Sequence, residues 1–208
     1  MLVWTRNNLF PILLSLLLVQ CSTSEVAMPS IPQEDFRAGD VVFRLGRTLE
    51  SDAIASVAED DFRFSHVGVV VGRGDSLRVV HIEPELEGSE QIKAESLEEF
   101  FSLSRAVKGM VARCKGISLE QCQIIENEAL RLLDLNVRFD HDYSLSDSSE
   151  MYCTELIDHV FQKAGITLTE RRYELPLVRE GVILPHSMLQ EGDLQCVWGY
   201  DLRSARHN

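Results

Sequence analysis

The chain has 208 residues, 45% of them hydrophobic, and a formal net charge of -13 at pH 7. A chain of this length can bury a sizeable core within one domain, so its fold does not require disulfide bonds. The acidic balance excludes a nucleic-acid-binding surface, because affinity for phosphates is built from clustered Lys and Arg side chains.

The N-terminal segment has the pattern of an export signal. Arg6 precedes an apolar run, Leu9–Val19, that is too short to span a membrane comfortably. The run leads into LLVQC, which resembles a bacterial lipobox, where the cysteine is lipidated and becomes the first mature residue. Gln20 departs from that pattern, since Gly, Ala or Ser usually precedes the cysteine. We expect residues 1–21 to be a signal peptide, Cys21 to be lipidated, and the protein to face the periplasm from the cell envelope; ordinary cleavage is the alternative.

The segment after the signal is polar, and it contains Pro29 and Pro32 without any hydrophobic periodicity. This composition is typical of a linker, so residues 22–38 are predicted to be a tether. Residues 39–208 are then predicted to form the folded domain.

The cysteines of the chain do not have the spacing of a metal site. No pair forms a CxxC motif and no Cys/His cluster matches a zinc site, so we expect neither a metal nor another cofactor. If the first cysteine is lipidated, an even number remains, and a fully disulfide-bonded protein stays open as an alternative. The cysteines are Cys21, Cys114, Cys122, Cys153 and Cys196.

Runs of β-branched and apolar residues predict the strands of the domain. Ser65–Gly72 and Leu77–Pro84 are joined by a short connection that contains Gly74 and Asp75, which predicts an antiparallel hairpin. The other strand-like runs are Asp40–Leu45, Ala106–Cys114, residues 180–189 and Gln195–Leu202.

Capping motifs and apolar periodicity predict the helices. Ser96 and Glu99 form an S-x-x-E capping box, and Ser118 with Gln121 begins a longer amphipathic helix. Thr48–Asp60 is a weaker helix candidate. The sum of these elements predicts an α+β domain built around an antiparallel sheet.

The run YCTELIDHVFQKAG predicts an amphipathic helix that begins near Cys153 and is capped by Gly165. The cysteine lies on the apolar stripe of this helix, so periodicity alone favours a small buried residue over a catalyst. Its position in the first turn argues the other way, because unpaired N–H groups and the helix dipole lower a thiol pKa below its usual value of about 8.5. A cysteine nucleophile also needs an imidazole, and His66 and His81 lie in predicted strands.

Five short motifs follow one another along the domain: GDVVFR, FSHVGVVV, VVHIEP, FDHDYSLSD and YCTELIDHVFQKAG. In this order they resemble the circularly permuted NlpC-type cysteine hydrolases, specifically the YiiX/YebB-like branch. The resemblance extends over residues 39–185. It implies an α+β, permuted papain-like fold, in which an antiparallel sheet or small barrel packs against helices and the nucleophile begins a central helix.

The same resemblance implies the site residues. Cys153 is the expected nucleophile, and His66 is its general base and later its acid. The third residue of this branch is acidic or polar and follows the histidine strand, which implies Glu83. His81 competes for that role, because residues 81 and 83 of an extended strand point to the same face. Tyr152 matches an aromatic residue that lines the cleft and helps to bind the oxyanion.

These residues imply an exported thiol hydrolase, an amidase or peptidase, that cleaves an amide bond in cell-wall peptide. Lipid-handling relatives of the permuted branch make a lipid acyl hydrolase or acyltransferase the second hypothesis. A third hypothesis, from another class, is a non-catalytic lipoprotein in which Cys153 is structural. The expected partners are a cell-wall peptide or lipid-derived substrate and, through the lipid anchor, the membrane.

Overall fold

The computed structural model describes residues 28–84, 90–143, 149–174 and 181–203, so the predicted signal peptide lies outside the described residues. The strands are β1 Val41–Leu45, β2 His66–Val71, β3 Arg78–His81, β4 Lys93–Glu95, β5 Lys108–Cys114, β6 Arg138–Phe139, β7 Glu150–Met151 and β8 Leu194–Asp201. The α-helices are α1 Leu49–Ala55, α2 Leu97–Phe100, α3 Leu119–Asp134, α4 Cys153–Lys163 and α5 Pro185–Glu191.

Six of the strands form one antiparallel sheet in the order β4-β3-β2-β1-β5-β8. Its central strands β1 and β2 are buried along their whole length, and their many β-branched residues suit an extended, buried backbone. The predicted hairpin is confirmed, with Val69 of β2 opposite Val80 of β3. Strand β1 pairs with β2 so that Arg44 lies opposite His66. This register brings a buried cation beside the predicted general base.

Apolar cores cover both faces of the sheet. Helices α3 and α4 pack on one face, where α4 contributes the fully buried residues Leu156, Ile157, Val160 and Phe161. Phe100 of α2 belongs to the core on the opposite face, together with Val70. Because side chains alternate along a strand, His66 shares the face of Val70, and its ring centroid lies 5.8 Å from that of Phe100. The ring of His66 therefore packs on the α2 side of the sheet. Helix α4 covers the other side, but its first turn reaches the beginning of β2, where the thiol of Cys153 lies at the Val67 amide next to His66.

The predicted helix that carries the cysteine is confirmed. Tyr152 is extended, with φ of -98° and ψ of 169°, and Cys153 is the first helical residue. Gly165 adopts φ of +73°, a left-handed conformation that glycine tolerates and that commonly ends a helix. The predicted caps of α2 and α3 are confirmed as well, since Ser96 and Ser118 each accept a backbone N–H of the first turn.

The strand predicted at residues 180–189 is wrong. Among its described residues, Val182 makes one isolated bridge to Tyr173, and α5 begins at Pro185. Proline suits the first helical turn, where its lack of an N–H leaves no hydrogen bond unmade, and the helix buries Met188 completely. A short apolar run is compatible with either structure, so periodicity could not separate them. The strand predicted at residues 195–202 is confirmed as β8.

Within the described part of the chain, none of the helices combines the length and the apolar character needed to cross a membrane.

Candidate active site

The first turn of α4 is tied to a neighbouring loop by hydrogen bonds on both sides of the cysteine. Thr154 donates its hydroxyl to the carbonyl oxygen of Ile183 at 2.7 Å, and the backbone N–H of Ile183 donates to the hydroxyl of Tyr152 at 3.2 Å. The N–H of Tyr152 donates to the carboxylate of Glu155 at 3.3 Å, which caps the helix start. These bonds fix the backbone that carries the half-buried thiol of Cys153.

The environment of Cys153 does not favour a thiolate. Burial raises the pKa of its thiol to about 11, although the backbone N–H groups of Val67 and Thr154 act in the opposite direction. The prediction that the helix start would depress this pKa is therefore wrong, because the loss of hydration outweighs the amide dipoles. At neutral pH the sulfur carries its proton, and attack on a carbonyl requires a base.

His66 has the properties of such a base. Burial lowers its pKa well below 6.5, and the positive charge of Arg44 lowers it further, so the ring is neutral at pH 7. Its Nε2 atom lies 2.9 Å from Nδ1 of His81. The other ring nitrogen of His66, Nδ1, is the one that does not face His81. In the described part of the chain no hydrogen bond joins Cys153 to His66, but the sulfur lies against the amide of Val67, the next residue along β2.

Behind this histidine pair, His66 and His81, lies a carboxylate. Oε1 of Glu95 is 3.0 Å from Nε2 of His81, although off the line of a well-aligned N–H bond. Arg105 donates to both oxygens of the same carboxylate, at 2.8 and 2.7 Å. Burial opposes ionisation of Glu95, yet His81 and Arg105 hold its pKa at about 2. The carboxylate is therefore charged and can only accept hydrogen bonds.

Glu83, the predicted third residue, lies just beyond β3 and close to the same imidazole. Its Oε2 is 3.8 Å from Nε2 of His66, compared with 2.9 Å for His81. The carboxylate is instead bound by Arg44, by Arg105 and, at 2.9 Å, by Lys93. Burial works against its ionisation, but Arg44 and the other cations hold its pKa at about 2. The geometry therefore favours His81 over Glu83 as the partner of His66.

Tyr152 is buried rather than lining an open cleft, with 3% of its surface exposed. Its hydroxyl accepts the N–H of Ile183, and burial raises its pKa to about 12. This hydrogen bond ties the segment around Ile183 to the beginning of α4.

Sequence reasoning missed the cations and the second carboxylate around the histidines. Arg44 carried a signal, because it interrupts the apolar strand VVFRL, yet only 5% of it is exposed. Its guanidinium stacks on Phe100, 4.6 Å from the ring centroid. Glu95 carried no such signal, since KAES reads as an ordinary polar segment. Lys93 and Arg105 are equally inconspicuous, and only the fold brings them to Glu83.

The four described cysteines, Cys114, Cys122, Cys153 and Cys196, are free thiols. Burial raises the pKa of Cys114 and of Cys122, as expected for inert core residues.

Comparison with known proteins identifies relatives along most of the chain. The family described as "Permuted papain-like amidase enzyme, YaeF/YiiX, C92 family" matches residues 35–198. The uncharacterized protein YiiX of Escherichia coli K12 is 29% identical over 138 residues, which is 65% of this chain and 63% of that protein. The chain thus spans less than two thirds of that relative.

A solved crystal structure, described as metalloprotein YiiX from Escherichia coli O157:H7, has the same fold. It matches with a TM-score of 0.64 and 24% identity, over 79% of this chain and 98% of that one. The predicted permuted papain-like α+β fold and the predicted family resemblance are confirmed. Members of the family are hydrolases of the amidase or peptidase class, and this chain belongs to the permuted papain-like amidase family of the YaeF/YiiX type.

Proposed function

We propose that the protein is an exported thiol hydrolase that cleaves an amide bond in cell-wall peptide, with Cys153 as nucleophile, His66 as base and His81 as the partner that orients His66. The observation that carries this proposal is the arrangement at β2. The thiol of Cys153 at the start of α4 lies against the amide of Val67. The residue before Val67 is His66, whose neutral ring contacts the ring of His81.

The protonation states support a mechanism that starts from a neutral pair. As the sulfur of Cys153 bonds to the substrate carbonyl carbon, the thiol proton passes to Nδ1 of His66. The imidazolium then protonates the leaving amine when the amide C–N bond breaks, which leaves a thioester. Water, deprotonated by His66, hydrolyses the thioester and restores the thiol. Catalytic hydrogen bonds are often long without substrate. The lack of a hydrogen bond between Cys153 and His66 in the part of the chain that the structure describes therefore agrees with this order of steps.

The start of α4 also offers a site for the oxyanion. The backbone N–H group of Cys153 belongs to the first helical turn, where amides have no partner within the helix. Amides in this position stabilise the negative oxygen that develops when a thiolate adds to a carbonyl.

The charged side chains near the site favour a peptide over a lipid chain. Arg44, Lys93 and Arg105 contact the carboxylate of Glu83, and Arg105 also binds Glu95. Among the described residues beside the histidine pair, three cations face two carboxylates, in a protein whose overall charge is -13. Cell-wall peptides carry carboxylates that suit such a surface, whereas an acyl chain needs an apolar channel.

A metal centre is a poorer interpretation of the same residues. The solved relative is described as a metalloprotein, and here His66, His81 and Glu83 offer donor atoms within 4.8 Å of one another. However, the two histidine nitrogens already bind each other, and the carboxylate already binds cations. A metal ion would have to displace these partners and would face the positive charges around them, so the donor set does not fit it. The proposed mechanism uses no metal.

The export signal is part of the proposal. Residues 1–21 are proposed to be a signal peptide that ends in a lipidated Cys21, and residues 22–38 a tether to the hydrolase domain at 39–208. Lipidation would hold the enzyme at the periplasmic face of the envelope, where cell-wall peptide is available.

The substrate class can be tested with two probes. Purified protein should release new amino groups from soluble muropeptides prepared with lysozyme, and C153A should not, because it lacks the nucleophile. Liquid chromatography with mass spectrometry identifies the bond that is cut. Hydrolysis of phospholipid vesicles in place of muropeptides would transfer the proposal to the lipid hypothesis, and equal activity of C153A would exclude Cys153 as nucleophile.

The raised thiol pKa predicts how alkylation of Cys153 depends on pH. An acid with a raised pKa is protonated until the pH approaches that value, so the rate with iodoacetamide should rise about tenfold per pH unit from pH 7 to 10. Mass spectrometry of the labelled peptide measures this rate, with the exposed Cys196 as an internal reference. A rate that is already constant between pH 6 and 8 would show a thiolate–imidazolium pair instead.

The third site residue can be tested by two substitutions at one position. H81L should lower muropeptide turnover by roughly 100-fold, because His66 loses the acceptor that orients it. H81N should recover part of the activity, since its side-chain oxygen can accept from Nε2 of His66. E83Q should have the smaller effect; a larger loss in E83Q than in H81L would give the role to Glu83. Circular dichroism checks that each variant is folded.

Lipidation predicts the location of the protein in its bacterial host. Wild type should fractionate with membranes and carry an acylated N-terminal cysteine, whereas C21A should appear in the soluble periplasmic fraction. Membrane attachment of C21A would contradict the lipobox interpretation.

A further inference from the structure

We propose that Glu95 is a positioning residue, which fixes the tautomers of both histidines so that a lone pair of His66 is available to Cys153. This inference rests on the proposed function, and it adds a fourth residue that acts through His81 without touching the substrate.

The residues involved form one continuous chain of contacts across three strands. Nε2 of His66 on β2 lies 2.9 Å from Nδ1 of His81 on β3, and Nε2 of His81 lies 3.0 Å from Oε1 of Glu95 on β4. The sheet sets this order, because His81 is opposite Lys93 and Glu95 is opposite Val79. Glu95 is thus the diagonal neighbour of His81 on the same face of the sheet.

The contacts determine where each proton lies. A charged carboxylate only accepts and would repel a ring lone pair 3.0 Å away, so even with the imperfect alignment the neutral ring of His81 carries its proton on Nε2, on the side of Glu95. Nδ1 of His81 is then an acceptor, and Nε2 of His66 must supply the proton between the two rings. Nδ1 of His66 is consequently unprotonated. This is the tautomer in which His66 can accept the thiol proton.

The groups around His66 and His81 keep the same protonation state at pH values near 7, so the positions of the ring protons do not change there. His81 is fully buried, and burial lowers its pKa. Among the residues that the structure describes, the charged groups near the two rings, besides the thiol of Cys153, are Arg44, Glu83, Lys93, Glu95 and Arg105. Both carboxylates have pKa values of about 2, so they remain charged, and the nearby cations oppose a positive charge on His66. The histidine pair is therefore neutral and has one fixed proton arrangement.

The contacts of Arg105 indicate how an amide at position 95 would differ from the carboxylate. One guanidinium nitrogen, Nη1, donates to both oxygens of Glu95, and Oε1 also faces His81. In E95Q one of these oxygens becomes an NH2 group. At Oε2 the NH2 group would face only the guanidinium, whereas at Oε1 it can donate to Nε2 of His81, which reverses the tautomer of both rings. His66 would then present an N–H to the thiol.

The tautomers can be measured directly by NMR of protein labelled with nitrogen-15 in its histidine rings. In wild type, His66 and His81 should each show a protonated Nε2 and an unprotonated Nδ1, with H66Q and H81Q spectra supplying the assignments. E95Q should exchange these signals, and its muropeptide turnover should fall by roughly 100-fold or more. The control is E98Q, which removes an exposed carboxylate that lines the same cavity as Glu95 and Arg105, and it should leave both readouts unchanged.

The outcomes separate this inference from the proposed function. A protonated Nδ1 on His66 in the wild-type protein would overturn the role of Glu95. This measurement does not depend on the folding of any variant. Tautomers unchanged in folded E95Q would overturn it as well. If C153A retained full turnover, the thiol mechanism would fail while the NMR result on Glu95 remained valid as a statement about the histidine pair.

Discussion

The hydrogen bond between His66 and His81 is the contact on which the arrangement of the site depends. It crosses from β2 to β3, so it exists only because the hairpin pairs in one register. Gly68 permits this approach, since a Cβ at that position would lie 2.6 Å from Cγ1 of Val79 and 3.1 Å from Cβ of His81. A side chain there would force the two strands apart. The local backbone, the strand register and the orientation of the imidazole are therefore linked in one small region.

Burial of charge is the main energetic constraint around this contact. Arg44 lies inside the sheet with 5% of its surface exposed, and it is stabilised by Glu83, by the carbonyl oxygen of Phe100 and by the face of that ring. An unpaired charge at this depth would be strongly unfavourable, so the cations and carboxylates depend on each other. Their combined effect keeps the histidines neutral, because any further positive charge would be repelled. The same burial keeps the thiol protonated, so the proposed nucleophile and its proposed base are matched as a neutral pair.

The apolar stripe of α4 both packs the helix against the sheet and buries Cys153, and the sequence did not reveal the effect of this burial on the thiol pKa. Periodicity placed Cys153 on the inner face of the helix, which is correct, and this burial is also what raises the pKa of its thiol. A lowered pKa was expected from the helix start alone, because the sequence reports the position in the helix but not the loss of hydration. The competition between these two effects depends on depth. Depth is a property of the folded protein.

The sequence by itself determined the family, the α+β class, the β2–β3 hairpin, and the helix that begins at Cys153. These features follow from local patterns: capping residues, β-branched runs and the order of five short motifs. Tertiary structure decided which side chains contact His66. His81 and Glu83 point to the same side of an extended segment, so only the 2.9 and 3.8 Å distances distinguish them. Glu95 and Arg105 reach the histidines through the pairing of β4 with β3 and the connection after α2, contacts between residues distant in sequence that no local pattern encodes.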